Sequence, residues 1–134
     1  MRRVALALCV SLAVCGCGLE VQSADLFLLT RAGQGQRLTI LVNDSGTIRC
    51  NSQKTKPLSD SLLITARDLA GNLDSDAKAK LRIAAGPHSV YQYTIRLQDG
   101  TISFPDTAAA KHHELSQAEL FTVQAAAQAC GISA

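Results

Sequence analysis

The sequence has no apolar run long enough to cross a bilayer, which takes roughly 20 residues in a helix. Its first apolar stretch, Val4 to Val14, follows Arg2 and Arg3 and has the length of a secretory core instead. The chain also lacks internal repeats, a glycine-flanked serine elbow of the G-x-S-x-G kind and a recognisable metal-ligand spacing. Neither a serine hydrolase nor a metal centre is therefore expected, and no cofactor is implied.

An excess of charge of one sign is missing too. Arg2 and Arg3 belong to a signal peptide read over residues 1–16; without them the 13 Lys and Arg fall level with the 11 Asp and Glu, all of which lie beyond Cys17. A neutral mature body gives no electrostatic case for nucleic acid, whose binding depends on neutralising phosphates. It gives none for polybasic attachment to lipid either.

What is present starts with the cysteines. Val14-Cys15-Gly16-Cys17-Gly18 resembles the bacterial lipoprotein processing box, in which an aliphatic and a small residue precede the cysteine that is acylated. Cys17 suits that role because Gly16 stands just before the cut, whereas Val14 precedes Cys15. The resemblance implies a lipid anchor on Cys17 at the outer face of the cytoplasmic membrane, with residues 17–24 as a tether; cleavage further on, near Ser23-Ala24, is the other reading. Both export the chain. Cys50 and Cys130 remain in the mature body, and in an oxidising compartment an even pair is expected to form a disulfide.

Beyond the tether, residues 25–134 read as one α+β domain. Asp25 to Arg31 has the length and apolar density of a buried strand, and Arg37 to Asn43 alternates with Leu38, Ile40 and Val42 on one side. A three-residue turn, Asp44-Ser45-Gly46, would set Asn43 opposite Thr47, Val42 opposite Ile48 and Ile40 opposite Cys50, turning Cys50 into the core. Residues 51–56 are polar and read as a loop. Leu58, Leu62, Ala66, Leu69 and Leu73 then recur at helical spacing behind capping residues Ser59, Asp60 and Ser61.

A second hairpin is expected over Val90 to Phe104. With Asp99-Gly100 as a two-residue type I′ turn, Leu97 would face Ile102 and Ile95 would face Phe104. The last helix has a capping box, Ser116 with Glu119, and a staple, Leu115 with Leu120; from there Val123, Ala127 and Cys130 continue an inward face, and Gly131 ends it. The order is ββ(β)-α-ββ-α: two layers, an antiparallel sheet of four to five strands with both helices on one face.

Few residues invite chemistry. His112-His113-Glu114 and His88 read as solvated loop residues, and Tyr91 and Tyr93 as core or core edge. Gly33-Gln34-Gly35 reads as a hairpin loop, since no helix start follows it to gather amide donors onto a phosphate. The wet sheet face collects Thr39, Leu41, Arg49, Gln92, Thr94 and Arg96; of these, Leu41, Arg49, Thr94 and Arg96 mark the candidate partner surface.

From Asp25 onward, the early strand ending Thr30-Arg31-x-Gly33, the leucine-rich helix, Tyr91-x-Tyr93 leading to Asp99-Gly100, and the closing helix resemble a family of small exported bacterial lipoproteins of unknown function. More distantly, the pattern is similar to emfourin, a small protein inhibitor of thermolysin-like metalloproteases. These resemblances imply a monomeric, non-enzymatic binding or inhibitory module whose partner is an envelope or secreted protein, such as a protease. Two other readings stay open: a small envelope enzyme using residues 106–115 with His112 or His113 as base, and a purely structural envelope lipoprotein.

Overall fold

Turn chemistry and two-residue alternation settle most of the sheet. The computed structural model describes Val21 and Ala24 to Ser133; the export segment 1–16, Cys17 and most of the tether lie outside the described residues. Strand β1 (Asp25–Gly33) pairs antiparallel with β2 (Gln36–Asn43), Gly33 facing Gln36. Their two-residue loop, Gln34-Gly35, has positive φ at both positions, 52° and 71°, as a type I′ hairpin requires. Chain β2 then turns through Gly46, φ 87°, into β3 (Thr47–Cys50) in the expected register, with Ile40 opposite Cys50.

A short strand β4 (Lys56–Pro57), in the stretch read as loop, pairs with Thr47 and Ile48. Strands β5 (Gln92–Leu97) and β6 (Gly100–Pro105) complete a six-stranded antiparallel sheet of order β4-β3-β2-β1-β5-β6. Outside β6, Arg82 adds a single parallel bridge to Ser103.

The β5–β6 register differs from the one expected. Leu97 faces Gly100, Ile95 faces Ile102 and Tyr93 faces Phe104, so the loop is Gln98-Asp99 and Gly100 already belongs to the strand. The glycine is there for a close approach and not for a turn: a Cβ on Gly100 would lie 1.9 Å from the Ala77 carbonyl oxygen. The true register stacks the Tyr93 and Phe104 rings at 5.2 Å.

Helix α1 (Asp60–Asn72) starts where its cap sits, Ser59 Oγ accepting the Leu62 amide at 3.4 Å. Its whole expected stripe, Leu58, Leu62, Ala66, Leu69 and Leu73, is buried. A separate short helix, α2 (Asp74–Lys78), follows directly and seats Ala77 against Gly100.

Helix α3 (His113–Ala125) begins three residues before the expected box. His112 stands at the N-cap, and the Ser116 amide bonds back to the His112 carbonyl at 3.1 Å. Its inward face is therefore Leu115, Ala118, Phe121, Thr122 and Ala125, whereas Leu120 and Val123 are 58% and 42% exposed and Ala127 is also outside. The deciding contact is aromatic: Phe121 meets Phe27 edge-on at 5.5 Å, burying a ring that the expected phase would have left in water.

A π-turn, Ala126–Cys130, follows and ends at Gly131, φ 66°. It delivers Cys130 to Cys50, and the two are bonded with Cα atoms 5.6 Å apart, within the usual span for such a bridge. Helices and sheet share one cluster of buried side chains that includes Phe27, Leu29, Ile40, Ile95, Leu69, Phe104 and Phe121. All of it lies on one side of the sheet, so the other side is left without a helix among the described residues.

Candidate functional site

The side chains that alternate away from the core make the open face. Pairing registers align Arg49 on β3, Leu41 on β2, Leu28 on β1, Arg96 on β5 and Thr101 on β6 in one row across the strands. A parallel row runs Thr39, Thr30, Thr94 and Ser103, and beyond it lie Arg37, Ala32 and Gln92. The expected surface residues Leu41, Arg49, Thr94 and Arg96 thus share a face, as do Thr39 and Gln92.

The structure adds residues that the alternation alone had not assigned. Leu28 is 5% exposed yet belongs to no core cluster; it is flanked by Leu41 and Arg96 on the outer side. It sits inside the run Leu26 to Leu29, where every position is apolar and period two gives no phase. Arg82 shares a side with Ser103 through their bridge, bringing a further guanidinium to the edge. Nothing in its local sequence marks it as part of a sheet.

Polar groups on this face are partly engaged. Thr39 Oγ1 and its amide both reach Asn51 Oδ1, at 3.2 and 2.8 Å, and Gln92 Nε2 donates to Ser103 Oγ at 3.1 Å. Arg49 Nε and Gln92 Oε1 are buried with no hydrogen-bond partner among the described residues. Asp25 sits at one end of the face, accepting from Asn43 Nδ2 at 3.0 Å.

A second polar cluster lies between the turn that follows β6 and α3. Asp106 accepts the Val90 and Tyr91 amides at 3.1 Å, the Ser89 hydroxyl at 3.0 Å and the Thr107 amide at 2.9 Å. Burial works against its charged form, but these donors outweigh it and hold the carboxyl below its ordinary value. Glu119 has no such help. Its Oε1 is buried without a donor, and burial, with the Asp106 charge adding, pushes the carboxyl up to about 7. Burial, then the Glu119 charge, also raises Tyr93, against the opposing pull of Arg31; Arg31 itself lies 4.9 Å over the Tyr91 ring.

Glu119 was expected to serve as capping partner to Ser116, and only the shift in helix phase turns it inward. His112 and His113 stand exposed at the start of α3 and His88 is exposed in its loop. No set of three or more His, Cys, Asp or Glu among the described residues could hold a metal ion. Comparison with protein-family models, with curated proteins and with solved structures finds no match.

Proposed function

We propose that the protein is an exported, lipid-anchored and non-enzymatic binding or inhibitory module, held by Cys17 at the outer face of the cytoplasmic membrane, whose open sheet face takes a protein partner. The observation that carries this reading is the row Arg49–Leu41–Leu28–Arg96, in which two arginines flank the half-buried Leu41 and the buried Leu28, on a sheet face that no described helix covers. A sheet scaffold fixes the backbone beneath these side chains, so the ordering cost on binding is confined to their own rotamers. Arginine flanking an apolar centre is also the composition enriched in protein interfaces. The emfourin resemblance makes a secreted metalloprotease the first partner to try.

The test is photo-crosslinking in the native host. A photoreactive residue at Thr94 is expected to capture one extracytoplasmic protein, and the same group at exposed Leu120 on the helix side to capture none. Capture only from Leu120, or from neither site, contradicts the reading. Inhibition of a thermolysin-like protease by the protein, lost in Arg49→Glu/Arg96→Glu, would place that protease as the partner.

A further inference from the structure

We propose that the open face selects an acidic protein segment in which two carboxylates stand four residues apart in an extended chain, with an apolar residue midway; this rests on the reading of that face as a protein-binding surface. The open side is locally cationic although the mature chain balances its charges. Among the described residues Arg37, Arg49, Arg82 and Arg96 all project from the open side, with Asp25 at its end, whereas Asp60, Asp68, Asp74, Asp76, Glu114 and Glu119 lie on the helices, where Arg67 and Lys78 are already paired with Asp44 and Asp74.

The spacing within the central row specifies the partner further. Arg49 and Arg96 are separated by three strand-to-strand steps, about 14 Å, with Leu41 and Leu28 between them. In an extended chain, residues i, i+2 and i+4 point the same way and i to i+4 also covers about 14 Å. A segment of the form Glu-x-Leu-x-Glu laid across the strands therefore sets its two carboxylates at the spacing of the two guanidinium groups and its central apolar side chain over Leu41, beside the buried Leu28. Such charge-assisted, two-pronged contacts are the strong class of hydrogen bond.

Fluorescence anisotropy tests this with the full chain in neutral detergent and labelled Gly-Glu-Ser-Leu-Ser-Glu-Gly as probe. Binding is expected to be at least tenfold tighter than for Gly-Glu-Leu-Glu-Ser-Ser-Gly, which carries the same charge at two-residue spacing, to weaken with added salt, and to be lost in Arg49→Glu/Arg96→Glu. The milder Arg49→Gln/Arg96→Gln should also lose it, with both variants melting as the parent does. Equal affinity for the two spacings overturns the inference, and so does Arg-dependent binding to phosphatidylglycerol vesicles without binding to either peptide. If Thr94 captures a partner in cells but the double glutamate variant captures it equally well, the acidic partner is refuted while the binding face stands; if Thr94 captures nothing, the face itself is lost.

Discussion

Glu119 shows how one residue's environment sets a measurable property of the fold. Its carboxyl, ordinarily near 4.5, is pushed up to about 7, so the folded protein holds a proton that the unfolded chain has released. The stability this contributes is fully present below pH 4.5 and lost as pH rises through about 7. The melting temperature should fall between pH 5 and pH 8. Glu119→Gln should flatten that profile and melt higher at pH 8, by on the order of 1 kcal/mol or roughly 4 °C for a domain of this size; an unchanged slope in a pH series of melts would refute the assignment.

Gly100 is fixed by close packing. Gly100→Ala places a methyl on the Ala77 carbonyl, and either α2 or the hairpin must move, at a cost of roughly 1–3 kcal/mol by chemical denaturation. Had the glycine served a type I′ turn, the lesion would lie in its φ; its φ is not positive, so relief should come from loosening α2. The Cys50–Cys130 disulfide closes a sequence separation of 80 residues, and chain-entropy reasoning gives about 4–5 kcal/mol lost on reduction or in Cys50→Ser/Cys130→Ser. Denaturant midpoints with and without reductant measure it.

Among the elements, those whose phase was fixed by turn or cap chemistry were legible in the sequence. Asp44-Ser45-Gly46 set the β2–β3 register, and with it the inward direction of Cys50; the leucine spacing set α1 and its buried stripe. Helix α3 and the β5–β6 hairpin were legible in kind but not in phase. Two signals competed in each: Ser116 with Glu119 offered a local cap, yet starting the helix at His113 buries Leu115 and Phe121. Asp99-Gly100 offered a turn, yet moving the loop to Gln98-Asp99 pairs Tyr93 with Phe104. Burial of large side chains outweighed local turn and cap preference in both cases. Phe121→Ala should accordingly cost about 3–5 kcal/mol, whereas Val123→Ala should change stability by less than about 0.5 kcal/mol; the opposite ranking in urea titrations would restore the phase suggested by the capping box.

At the scale of the whole molecule, composition concealed the property that matters most. A balanced total of charges gave no hint that arginines from β2, β3, β5 and the Arg82 bridge converge on one side, because strand order and the bridge are set by long-range packing and not by spacing along the chain. The candidate surface was visible as Leu41, Arg49, Thr94 and Arg96; the central Leu28 and the edge Arg82 needed the assembled sheet. The proposed function requires that this face, and not the helix layer, meets the partner. Crosslinking from Thr94 in cells, compared between Arg49→Glu/Arg96→Glu and the helix-side Ile64→Glu/Leu120→Glu at matched abundance, tests it most directly. The sheet variant is expected to lose the adduct and the helix variant to keep it; loss in the helix variant with retention in the sheet variant would overturn the proposed face.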